Sequence, residues 1–148
     1  MTGERLLVVD DEQILRIGTA WTLREAGFEV DEADCGAAAI EMVKHTRYAL
    51  IFMDLNMPGM GGFECVGKIR AWERQAKPAV PRSVIIALSA TNDADARAHS
   101  LRAGMNDFLE KSSTKEQLKN LVRKYQTVVL PPQRTFTGLP QLKFPGRM

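Results

Sequence analysis

Short apolar runs recur along this chain, separated by longer stretches that mix apolar and charged residues. "RLLVV" (5–9), "ALIFM" (49–53) and "VIIALS" (84–89) are almost unbroken hydrophobic segments of strand length. Continuous hydrophobicity, as opposed to alternation, predicts strands covered on both faces. "FEVDEA" (28–33) alternates and predicts a strand with one wetter face, and "NDFLE" (106–110) reads as a brief fifth strand. Helices are predicted over 12–26, 36–44, 63–74, 93–103 and 114–126. Gly27 and Gly104 follow the first and fourth, where a residue that tolerates positive φ ends a helix. Thr114 and Gln117 have capping-box spacing, and the helix behind them carries Leu118, Leu121, Val122 and Tyr125 on one face. In the third helix Phe63, Val66, Ile69 and Arg70 share a stripe, and in the fourth Ala94, Ala98 and Leu101 are expected inward. The apolar residues of the first helix, Ile14, Leu15, Ile17, Trp21 and Leu23, spread over more than one stripe and leave its orientation open.

Strands that alternate with helices imply a parallel α/β sheet covered on both sides, because parallel neighbours need crossover connections. The pattern stops near residue 126. The segment 127–148, "TVVLPPQRTFTGLPQLKFPGRM", holds four of the seven prolines and no helical or alternating period. It reads as an extended tail or linker behind a domain of residues 1–126. Its scattered apolar residues (Val128, Val129, Leu130, Phe136, Leu139, Leu142, Phe144) leave docking on this domain or on a partner as the alternative.

Composition adds boundaries. A chain of 148 residues fits one domain with a proper core. Cys35 and Cys65 belong to no metal-binding or redox spacing, so neither a disulfide framework nor zinc is indicated. No apolar run has the length of a signal sequence or a membrane span, and a cytoplasmic, soluble protein with no membrane partner is expected. The net charge of +2 is largely a tail effect: removing Arg134, Lys143 and Arg147 leaves −1 for residues 1–126. That balance argues against nucleic acid, which calls for a basic stripe or patch.

Candidate chemistry comes from the strand ends. In an open parallel sheet, ligands bind outside the carboxyl ends of the strands. The first strand runs into Asp10 and Asp11, the third into Asp54, the fourth ends in Ser89, and the fifth is followed by Lys111. Each has a commonplace role alone: a helix start, a turn cap, a loop hydroxyl, a surface charge. Those roles do not explain why all of them fall at strand ends. Three close carboxylates repel unless a cation joins them, and an oxygen-only ligand set suits a hard ion, best magnesium. Asp54 would then stay ionised and nucleophilic, while Lys111 and Ser89 could hold the oxygens of a phosphoryl group.

"LLVVDDE", "MDLNMPGMGGFE", "IIALSA" and "AGMNDFLEK", in that order, resemble the receiver domain of two-component response regulators over about residues 4–126. The resemblance implies a flavodoxin-like, doubly wound five-stranded parallel sheet in order 2-1-3-4-5 with five helices. It implies Asp54 as the acceptor of phosphate from a phosphohistidine, with Mg2+ held by Asp10, Asp11, Asp54 and the backbone carbonyl of Asn56. It also implies Ser89 and Phe108 as switch residues that relay the state of Asp54 to the face of helix 93–103, strand 106–109 and helix 114–126. The implied partner is a histidine kinase or a histidine phosphotransfer protein, with a homodimer through that face as a further expectation. "IIALSATND" and "AGMNDFLEK" are most similar to receivers of hybrid kinases and phosphorelays. Such a protein is phosphorylated and is not an enzyme in the usual sense, although it assists its own phosphotransfer and dephosphorylation.

Three departures stand out. Ser112 occupies the place of the family's usual cis-proline after the lysine, so a trans bond and an altered 110–114 loop are expected. Gly61 replaces a frequent Asp and leaves a weaker cap for the third helix. The loop "RQAKPAVPR" is also longer than usual. The competing reading is a phosphorylation-independent interaction module whose site Ser112 has spoiled. A phosphohydrolase is disfavoured, because "DLN" carries no second carboxylate two residues beyond Asp54.

Overall fold

Val8 pairs with Glu32 on one side and Phe52 on the other, which puts the first strand inside the sheet and not at its edge. The structure, a computed structural model, describes residues 5–129, with side chains as far as Gln126. In chain order its elements are β1 (Arg5–Val9), α1 (Gln13–Glu25), β2 (Glu29–Ala33), α2 (Gly36–His45), β3 (Leu50–Asp54), α3 (Gly62–Gln75), β4 (Val84–Ser89), α4 (Ala94–Ala103), β5 (Asp107–Glu110) and α5 (Lys115–Val129). All strand pairs are parallel and the order is β2-β1-β3-β4-β5. The expected sheet is therefore the observed one. Beyond Val129 the proline-rich segment lies outside the described residues, and with it the expectation that it docks.

The continuous apolar runs have the expected cause. Along β1, β3 and β4, alternate residues face opposite sides, and both sides are covered. Leu7, Val9, Ile51, Met53, Ile85 and Ala87 meet Ala39 and Val43 of α2 and Cys65, Val66 and Ile69 of α3. Leu6, Val8, Leu50, Phe52, Ile86 and Leu88 meet Ala20 and Leu23 of α1 and Leu118 and Val122 of α5. Each large side chain buried this way contributes about 1.5–3 kcal/mol. Edge strand β2 carries charge on both faces: Arg5 pairs with Glu29 and Asp31 on one, and Arg16 and Arg24 pair with Glu32 on the other. Charged side chains on an edge discourage pairing with another chain.

The helix ends follow their signals. Gly27 and Gly104 have φ of 103° and 110°, which residues with a Cβ rarely adopt. The Thr114–Gln117 box closes reciprocally at 2.8 and 3.1 Å. Asp93 caps α4 by accepting from the Ala96 N–H at 2.7 Å.

The inward face of α4 differs from expectation. Leu101 is 60% exposed, whereas Ser100 is fully buried and Ala96 packs on the core. Small residues let this helix lie close to its neighbours, and the Ser100 hydroxyl donates to the Ala96 carbonyl at 2.8 Å, so its burial leaves no polar group unsatisfied. On α1 the ambiguity resolves into two faces: Ala20 and Leu23 point in, while Ile14, Ile17 and Trp21 stand exposed. Arg70 of the α3 stripe is buried as a charge. Its guanidinium binds Glu73 at 2.8 Å and donates to the carbonyls of Ser83 and Gly104 and to Asn106 Oδ1. Glu73 in turn accepts the Ser83 N–H. This network ties α3 to the start of β4 and to the turn between α4 and β5. No helix among the described residues is long and apolar enough to cross a membrane.

Candidate functional site

The sheet places each site residue by main-chain bonds that extend past the strands. The Asp10 N–H donates to the Ala33 carbonyl, continuing the β1–β2 ladder by one step and leaving Asp10 1% exposed. Asp54 is itself the last residue of β3, one position further into the strand than the apolar run indicates, and is 0% exposed. The Leu55 N–H donates to the Leu88 carbonyl, and the Gly62 N–H returns to the Leu55 carbonyl. That return brings α3 so near that a Cβ on Gly62 would sit 2.4 Å from the Asp54 carbonyl oxygen; only glycine fits. The Lys111 N–H donates to the Ser89 carbonyl at 2.7 Å, so the end of β4 fixes where the lysine leaves the sheet.

The side chains converge. One carboxylate oxygen from each of Asp10, Asp11 and Asp54 lies within 4.8 Å of the others, with Asp11 at the surface. Lys111 Nζ is 3.2 Å from Asp10 Oδ1, 3.1 Å from Asp54 Oδ2 and 2.8 Å from Glu12 Oε1. Asp54 Oδ1 accepts the Asn56 N–H at 3.0 Å. Its Oδ2 is buried, and although Lys111 is close enough for an ion pair, no donor is aligned with it. A buried carboxylate oxygen without a directed partner, among oxygen-only neighbours, fits a hard divalent cation. Burial pushes the Asp54 carboxyl up to about 7; the Asn56 N–H and Lys111 pull against this, and the nearby Asp10 charge adds to it. Burial lowers the Lys111 pKa, but the bond to Glu12, the close contact with Asp54 and the charges of Asp54 and Asp10 outweigh it and raise the pKa overall.

Ser89 is buried at the end of β4, and its Oγ accepts the Thr91 N–H at 3.2 Å without bonding to Asp54. Phe108 lies in the core, with the Arg97 guanidinium over its ring at 4.8 Å. The only cis peptide among the described residues is Lys77–Pro78, so Lys111–Ser112 is trans, as expected. Even so, the lysine reaches both acids. Glu12 and Gly62 belong to this site without having been singled out. Glu12 stood in the quoted "LLVVDDE", but no spacing rule pairs it with a residue at 111.

A family profile described as the response regulator receiver domain matches residues 6–123. The chain belongs to that family. Hybrid signal transduction histidine kinase L of Dictyostelium discoideum is 36% identical over 124 residues, which are 82% of this chain and 7% of that protein. Sensor protein GacS of Pseudomonas syringae is 34% identical over 127 residues, 85% of this chain and 14% of the sensor. This receiver thus spans a small fraction of the curated relatives' length. Among solved structures, the receiver domain of the Arabidopsis thaliana histidine kinase CKI1 complexed with Mg2+ and BeF3- superposes with a TM-score of 0.74 at 32% identity. That alignment covers 85% of this chain and 91% of the other. The chemotaxis protein CheY4 of Vibrio cholerae superposes with a TM-score of 0.74 at 27% identity, covering 82% and 97%. Receiver domains are phosphorylated signalling modules that take their phosphoryl group from histidine kinases or histidine phosphotransfer proteins, and the named relatives here include hybrid kinases.

Proposed function

We propose that Asp54 accepts a phosphoryl group from a phosphohistidine within a phosphorelay. A carboxylate oxygen of Asp54 attacks phosphorus; the P–N bond breaks, its electron pair returns to the imidazole, and an aspartyl phosphate remains. The supporting observation is the gathering of Asp10, Asp11 and Lys111 around an Asp54 oxygen that has no directed donor. Asp10, Asp11, Asp54 and the Asn56 backbone carbonyl would hold Mg2+, which would supply charge neutralisation at the transferred group. Lys111 and Ser89 bind phosphoryl oxygens, Lys111 by charge and Ser89 by releasing Thr91. Phe108 then transmits the change to the face of α4, β5 and α5, where it already contacts Arg97.

The phosphodonor docks at the rim. Ile14 and Ile17 stand exposed in the first turns of α1, directly after the acidic pair, and Leu15 shares a cleft with Asp10 and Lys111. A homodimer through the α4-β5-α5 face belongs to the same reading, with exposed Leu101 on α4 as its apolar contact. We place the protein in the cytoplasm, where phosphohistidine donors are made, and read 1–126 as the receiver and 127–148 as its tail or linker, although α5 runs on through the first three residues of that segment, to Val129. Incubation with a small phosphodonor and magnesium should add the mass of one phosphoryl group, and Asp54→Asn should abolish the gain. A wild type that never gains that mass sinks the proposal and leaves the phosphorylation-independent interaction module.

A further inference from the structure

The shortest contact of the Lys111 ammonium is to Glu12, outside the acidic triad, at 2.8 Å. The three carboxylates around Nζ differ in kind. Side chains of Asp10 and Asp54 are 2% and 1% exposed, whereas that of Glu12 is 58% exposed. Glu12 is nevertheless well placed by its main chain. Its N–H donates to Asp10 Oδ1 at 2.9 Å, and its carbonyl accepts the Arg16 N–H at 2.9 Å to open α1. Its side chain makes no capping bond to that helix, so the carboxylate is committed to Lys111 alone.

Lys111 needs such a contact. Its main chain is fixed on one side by the N–H bond to Ser89, and beyond it the chain turns through Ser112, with Ser113 N–H returning to Glu110 at 3.0 Å. Between that anchor and Nζ lie four rotatable methylenes, which cost entropy to hold in one place. On the phosphoacceptor reading two of its three partners would change role, because Asp54 would become the acyl phosphate and Asp10 would be a ligand of the cation. Only Glu12 keeps its job.

We propose that Glu12 is a positioning residue for phosphoryl transfer: its carboxylate holds the Lys111 ammonium over Asp54 through the reaction without touching the phosphoryl group. This rests on the phosphoacceptor reading above. The sign of the effect separates anchoring from simple electrostatics. Glu12 is a negative charge near an incoming anion, so if it acted only through its field, removing it would speed the reaction with an anionic phosphodonor. An anchor predicts the opposite.

The test is Glu12→Gln, which keeps the shape and removes the charge. With acetyl phosphate or phosphoramidate at saturating magnesium, the phosphorylation rate should fall about threefold, the scale of a partly exposed ion pair. Magnesium affinity should change by less, and Glu12→Asp should recover part of the rate. In a Lys111→Ala background the same substitution should have no effect. The ammonium resonance of Lys111, followed by NMR in the unphosphorylated protein, should broaden through faster exchange in Glu12→Gln. If the wild type is phosphorylated and Glu12→Gln reacts as fast or faster with an unchanged ammonium signal, the anchoring role is wrong while the phosphoacceptor reading stands. A wild type that takes no phosphoryl group removes the reading itself, and the ammonium signal still decides whether Glu12 holds Lys111.

Discussion

Replacing Asp54 by Asn should stabilise the protein in the absence of divalent cations, and should do so more strongly as pH rises. The carboxyl is fully buried, and its pKa is pushed from the ordinary 3.8 to about 7. An acid whose folded pKa is raised contributes its full stability below the unfolded pKa and loses it as pH climbs through the folded one. Between 3.8 and 7 the unfolded chain ionises Asp54 freely while the folded chain holds its proton. Three pH units of difference are worth about 4 kcal/mol once both states are ionised, at pH 8 and above, and about 2 kcal/mol at pH 5. Asn carries no charge at either pH and keeps the size of the side chain. The gap between Asp54→Asn and wild type, from urea denaturation in chelator, should therefore widen from about 2 to about 4 kcal/mol between pH 5 and pH 8. Added magnesium should narrow it by stabilising only the wild type. A gap that stays flat across this range would show that Asp54 is not held in a site hostile to its charge, and the case for a cation-requiring acceptor would lose its physical basis.

Glu73→Ala should destabilise the domain by about 3–5 kcal/mol in the same assay, because it strands the buried Arg70 charge; a loss below 1 kcal/mol would mean the network is dispensable. Gly62→Ala should cost about 1–3 kcal/mol, since the new methyl meets the Asp54 carbonyl and must displace the main chain. A melting temperature equal to wild type would contradict that close approach. Asp93→Ala should cost about 1 kcal/mol through the lost cap of α4, with amide exchange at Ala96 as the local readout.

The sheet was legible in the sequence because β1, β3 and β4 are buried on both faces, and double burial leaves an unbroken apolar run. The gathering of Asp10, Asp11, Asp54 and Lys111 was legible for a related reason: in this topology the strand ends share one edge. What was hidden depends on contacts that no local period encodes. Leu101 sits at helical spacing with Ala94 and Ala98, but α4 packs through Ala96 and Ser100, a choice made by how near the neighbouring helix lies. Arg70 looked like part of an apolar stripe, and its burial makes sense only with Glu73, Ser83, Gly104 and Asn106 around it. Glu12 lies 99 positions from the lysine it binds.

Asp10 and Lys111 stand 101 positions apart, and that separation bears on how the protein is made. On the ribosome, the strands bearing Asp10 and Asp54 emerge well before the lysine does. Until then the acids lack the Lys111 ammonium, and burying Asp54 as an anion without it or a bound cation would be penalised. A chain cut short before β5 lacks the ammonium that contacts both Asp10 and Asp54, and so lacks one part of the acceptor site.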